Sequence, residues 1–175
     1  PAPSTEEPEP EATLAPGDLP AVAVPELPGT AGELPECPAN LSGYATVLPD
    51  VLAVTGGDLL IVETWLRLCD GMNDERGGLL IQDLDGDAVS DALFLPTIVS
   101  DLGYGPGGVQ GALLIYRGQP DGAYELFYSP DILGQPQVVA GDDVNGDGQT
   151  DLVYTVASCG TACLAEVRII SWDAA

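Results

Sequence analysis

Asp83–Asp91 reads DLDGDAVSD and Asp143–Asp151 reads DVNGDGQTD. Each stretch places an oxygen-bearing side chain at positions 1, 3, 5 and 9 and leaves position 7 free to offer a main-chain carbonyl. Calcium takes six to eight hard oxygen ligands at about 2.3–2.6 Å, and alternate residues of a tight loop can converge on one ion in this way. The expected ligands of one ion are Asp83, Asp85, Asp87, the Val89 carbonyl and Asp91. Those of a second are Asp143, Asn145, Asp147, the Gln149 carbonyl and Asp151. Loop position 6, where a sharp turn favours glycine, is Gly148 in the second stretch but Ala88 in the first.

The residues on the far side of each loop decide the fold. A helix–loop–helix calcium site needs a bidentate Glu at position 12 and a helix on either side. Position 12 is Phe94 in one stretch and Tyr154 in the other, and the loops run on into ALFLPTIV and LVYTVA. These β-branched and aromatic runs are strand-like, so each loop is expected to join two strands. Further out the same pattern repeats, with short apolar runs separated by Gly, Asp, Asn and Pro. Strands are read near Tyr44–Leu48, Asp58–Leu68, Leu79–Asp83, Ala92–Ile98, Gln110–Arg117, Tyr124–Tyr128, Gln137–Ala140, Leu152–Ala157 and Glu166–Trp172. No run of ten or more residues has convincing helical periodicity, Gly57–Leu68 being ambiguous, and the expected class is all-β.

The stretch DLDGDAVSDALFL continues through GYGPGGVQGALLIYRG. Together these resemble FG-GAP/VCBS repeats, the calcium-binding blades of integrin α-type propellers and of many bacterial surface proteins. The resemblance covers roughly Leu79 to Tyr128 and, more weakly, Gln137 to Trp172; the two loops start 143 − 83 = 60 residues apart, a plausible blade length. It implies two to three antiparallel blades. A closed propeller needs more, so the expectation is a propeller fragment or a sandwich-like pair of sheets, with exposed edges that invite other chains.

The 175 residues divide into a Pro/Ala/Glu-rich segment, 1–36, and a β domain, 37–175. Proline removes donors and fixes φ, so the first segment is read as an extended linker or assembly arm. Its apolar run Leu19–Leu27, LPAVAVPEL, could lie along a sheet edge or groove of a neighbouring copy as an added strand. Pro1 in place of Met reads as a sign that a secretory or lipoprotein leader has been removed.

Net charge is −24, from 28 acidic residues and only four arginines. Nucleic acid is excluded as a partner, because phosphate binding needs clustered cations. Cations that bind or screen the carboxylates would relieve their mutual repulsion. With no His and no Lys, the usual general base and Schiff-base amine are missing together. An enzyme would need two of Glu63, Glu125 and Glu166 facing each other across a pocket, and the chain is read as non-enzymatic. No apolar stretch is long enough to span a membrane.

Four cysteines without histidine suit no common zinc pattern and are read as disulfides. Three connectivities are open; Cys159 with Cys163 as a local loop and, by exclusion, Cys37 with Cys69 is preferred, in an oxidising compartment. Asn40-Leu41-Ser42 fits a glycosylation acceptor at Asn40. The expectation is therefore an extracellular or cell-surface structural protein with two calcium sites, self-assembling through its N-terminal segment into a fibre or layer. The alternative is a surface lipoprotein that binds glycans or protein partners.

Overall fold

The computed structural model describes residues 33–101 and 103–172. The arm function read for residues 1–36, including the run Leu19–Leu27, falls almost wholly outside them. Two helices, α1 (Leu41–Val54) and α2 (Leu59–Leu68), precede nine strands: β1 (Gly78–Gln82), β2 (Asp91–Leu95), β3 (Thr97–Val99), β4 (Val109–Gly111), β5 (Leu114–Gly118), β6 (Tyr124–Tyr128), β7 (Gln135–Asp142), β8 (Asp151–Cys159) and β9 (Cys163–Ile170). The chain is mostly β, as expected, in three antiparallel sheets. A four-stranded central sheet has the order β1-β2-β5-β6, an outer sheet the order β7-β8-β9, and β3 pairs with β4 as an excursion between β2 and β5. None of these sheets, among the described residues, closes into a barrel.

The strands expected at Tyr44–Leu48 and Asp58–Leu68 are instead α1 and α2. Pro49 and the β-branched content of both segments argue against helix when propensity alone is weighed. Caps and burial outweigh it. The Asn40 side chain accepts the Gly43 amide, and Asp58 accepts those of Leu60 and Ile61, which satisfies donors that a helix start leaves free. Tyr44, Leu48, Val51 and Leu52 then fall on one face of α1, and Leu59, Val62, Trp65 and Leu66 on one face of α2. Both faces bury against the central sheet, where tertiary packing supplies most of a short helix's stability. Asp58→Ala should destabilise the chain by about 1 kcal/mol in urea unfolding, the usual worth of an N-cap.

The layers are thus helices, central sheet, outer sheet. On β2, Ala92 and Phe94 face the helices while Leu93 and Leu95 face the outer sheet. On β5, Leu114 and Tyr116 take the helix side and Ile115 the other. A strand covered on both faces needs an unbroken apolar run, and β2 is buried along its whole length. Phe94 meets Tyr116 edge-on at 5.5 Å, and Tyr44 meets Trp65 likewise at 6.0 Å. From the outer sheet, Leu152, Tyr154 and Val156 close the second core with Trp172.

Both disulfides have the preferred connectivity. Cys37–Cys69 ties the approach to α1 to the C-cap of α2, and Cys159–Cys163 closes the β8–β9 turn. Leu34 packs against the helix core and the Pro35 carbonyl accepts Trp65 Nε1 at 3.0 Å, so the chain joins the fold on its helix side. No helix among the described residues is long and apolar enough to cross a membrane.

Candidate metal centre

The two acidic stretches are the loops of the β1–β2 and β7–β8 hairpins, closed at their bases by the pairs Gln82 with Asp91 and Asp142 with Asp151. Each loop is shaped by its own carboxylates. The position-1 aspartate accepts the amides of positions 4 and 6: Asp83 from Gly86 and Ala88 at 2.8 and 3.0 Å, Asp143 from Gly146 and Gly148 at 2.6 and 2.8 Å. Position 3 accepts from position 5, Asp85 from Asp87 and Asn145 from Asp147. Position 5 accepts from position 7, Asp87 from Val89 and Asp147 from Gln149. Position 9 accepts from position 2, Asp91 from Leu84 and Asp151 from Val144. An oxygen that accepts one amide retains a lone pair, so these bonds orient the side chains without exhausting them, except at Asp143 Oδ1, which accepts the amides of both Gly146 and Asp147.

Positions 4 and 6 are left-handed in both loops, with φ of 78° and 68° at Gly86 and Ala88, and 82° and 88° at Gly146 and Gly148. Glycine adopts this backbone freely and alanine does not. Ala88→Gly should therefore stabilise the chain by about 1 kcal/mol, and Gly148→Ala should cost about as much, read from urea midpoints.

In the first loop the ligand atoms of Asp83, Asp85 and Asp91 lie within 4.8 Å of one another, close enough to hold a metal ion. That separation is about twice a calcium–oxygen bond. Asp91 is only 4 % exposed, and its second oxygen accepts the Gly118 amide at 2.9 Å, tying the loop to the end of β5. A Cβ at residue 118 would fall 2.2 Å from the Ser90 carbonyl, so the tie requires glycine. Burial pushes the Asp91 carboxyl above the usual range; the Leu84 and Gly118 amides oppose this, and Asp85 and Asp87 add to it. Ionised Asp91 thus costs the ion-free fold stability above its raised pKa. The cost is relieved as pH falls through that value towards the ordinary aspartate range.

Asp85 also pairs with Arg117, Oδ2 to Nε 2.8 Å, and the Arg117 guanidinium lies 4.6 Å over the Phe127 ring, which packs on Trp172 at 5.0 Å. Sequence spacing did not place Arg117 here. The sole signal was its position before Gly118, at the end of β5, the strand that pairs with the β2 that follows the loop.

The second loop is more open. Asp151 is 1 % exposed, but residues 142–148 are all exposed. The Asn145 amide donates to Asp147 at 2.9 Å and, at 3.5 Å, to Asp151. The amide of Gly148, opposed by desolvation and aided by those of Gly146, Asp147 and Asn145, holds Asp143 below the usual carboxylate range. The Gln149 Oε1 atom is buried and accepts no hydrogen bond among the described residues.

Other candidates are dispersed. Glu63, Glu125 and Glu166 lie on α2, β6 and β9, with Glu63 paired to Arg67 and Glu166 to Arg168. Trp65, Trp172, Tyr116 and Tyr154 are buried in the cores, whereas Tyr124 and Tyr128 are half-buried. The acidic run Asp70–Glu75 is a turn bound by Arg67 to Asp74 and by Arg76 to Asp70. Asn40 is exposed and caps α1.

The fold and site define a mostly β, two-disulfide protein with an acidic triad at a hairpin tip able to hold a metal ion. No family model matches the chain, and no curated protein or solved structure matches it.

Proposed function

We propose that this is a non-enzymatic extracellular structural protein, secreted or lipid-anchored, whose two acidic hairpins each bind one calcium ion and whose N-terminal segment joins copies into a fibre or layer. The observation that carries the calcium reading is the shared architecture of the two loops. Only four of their nine positions are identical, yet both use the same side-chain-oxygen-to-amide bonds and the same left-handed positions. The acidic triad supports it in the first loop, and the unpartnered Gln149 oxygen adds an acceptor beside the second. On this reading the hairpins are the calcium loops of two FG-GAP/VCBS-like repeats, and two ions would offset four of the 24 excess negative charges. The disulfides are compatible with an oxidising, extracellular setting.

Isothermal titration of the chelator-stripped chain with calcium is the direct test, and two ions bound per chain are expected. Negative-stain images should show assemblies with calcium that disperse on chelation. Binding of no ion would sink the calcium reading. Monodisperse particles in both conditions would leave the calcium sites standing but remove the fibre in favour of a surface binding module.

A further inference from the structure

The two faces of the outer sheet differ. Its inner face is the core around Leu152, Tyr154 and Val156. The register places Val153 beside Ile169, Thr155 beside Val167 and Ala157 beside Ala165 on the opposite face. Between the Asp142–Asp151 pair at the loop end and the Cys159–Cys163 turn, the β8 and β9 side chains on this face are uncharged in a chain of net charge −24, and Val167 and Ile169 are 63 % and 56 % exposed. β9 forms one edge of this sheet and is eight residues long. Its two charged side chains, Glu166 and Arg168, project to the other face and pair with each other at 3.0 Å. The opposite edge strand, β7, is met by β4 through the Gly111 amide and Gly134 carbonyl, and the β6 edge packs beside α1. Among the described residues no strand pairs with the outer edge of β9, and a long unpaired edge is a template for an added strand.

The chain contains a segment of matching character. Within residues 1–36 the stretch 19–25 is free of charge and holds the only valines, Val22 and Val24. In an extended Ala21–Val24 both valines face one side, and Pro20 and Pro25 end the pairing at either end. Copies this acidic repel one another, so contact is cheapest between uncharged surfaces. The position of the arm's root favours a second copy as the source. Leu34 and Pro35 enter on the helix side of the central sheet, and β9 lies beyond its other side. The nine steps from Val24 to Glu33 span at most about 30 Å, which a path around layers packed about 10 Å apart would largely consume.

We propose that residues 20–25 of one copy add as a strand along β9 of the next, with Val22 and Val24 covering Val167 and Ile169. This rests on the self-assembly part of the proposed function and not on the calcium part. Each copy then offers an arm at one side and an edge at the other, a head-to-tail contact that propagates as a fibre.

Two versions of the full chain, each with one cysteine added to the four already in disulfides, Val22→Cys and Val167→Cys, should cross-link when mixed under mild oxidation. Val22→Cys mixed with Leu126→Cys, on exposed β6, should not. In sedimentation, Val167→Lys with Ile169→Lys should abolish assembly while leaving the melting temperature unchanged, since both sites are exposed. Assembly that survives the two lysines overturns the β9 site alone. A wild-type chain that never associates overturns the self-assembly reading itself. A cross-link that forms only when both cysteines share one chain overturns the second copy as the source of the strand.

Discussion

Chelating calcium should lower the melting temperature by about 15 °C relative to the chain with calcium at a hundred times its dissociation constant. An ion that binds only the folded state contributes about 2.7 kcal/mol at that ratio, and two independent sites contribute about 5 kcal/mol. For a domain of this size each kcal/mol corresponds to about 3 °C. Differential scanning calorimetry with and without chelator measures the shift, and no difference between the two scans would contradict the sites. Asp147→Asn assigns the effect to one loop. The asparagine oxygen can still accept the Gln149 amide, so the turn persists while a ligand charge is lost. The melting temperature should fall clearly in calcium and only slightly in chelator, where just the exposed Asn145–Asp147 contact is lost. Asp151 is a poorer probe, because its buried carboxylate also holds the Val144 amide and its removal would weaken the loop in either condition.

Replacing Cys37 and Cys69 together by serine should cost about 3–4 kcal/mol, from the loop-closure entropy of a cross-link spanning 32 residues. The staple closes the segment that contains both helices, so its loss acts on the layer covering Phe94, Leu114 and Tyr116. The Cys159–Cys163 bond spans only four residues at a turn already set by strand pairing, and its loss should cost less, about 2 kcal/mol. Urea unfolding of the two double variants gives the comparison; equal costs would mean that loop length is not what sets them.

The acidic loops were legible because their chemistry is local: alternate aspartates, a glycine at position 4 and an apolar run on the far side. Seven of the nine expected strands lie where strands form, again because a half- or fully buried strand is written into a short window. The helices were not legible in that way. Val51, Ile61, Val62 and Trp65 suit a strand by propensity, and what makes them helical is a pair of caps at Asn40 and Asp58 and a sheet that no local window contains. Asn40 illustrates the overlap of signals, since the triplet that suggests glycosylation also starts α1. The surroundings of the first loop, Arg117 against Asp85 and Gly118 against Asp91, join residues 27 or more positions apart, a separation that periodicity does not report.

The burial of β2 on both faces bears on how the two hairpins exchange with solvent. Its amides lie in the middle layer, so deuterium should reach them only when the whole domain opens, and the first hairpin is held at the end of that strand through Asp91. Whatever enters or leaves the first hairpin does so with the scaffold intact. The second hairpin stands at the end of a three-stranded layer with one face in solvent, where local fraying offers a faster route. In deuterium exchange the β7–β8 hairpin amides should therefore exchange faster than those of β2.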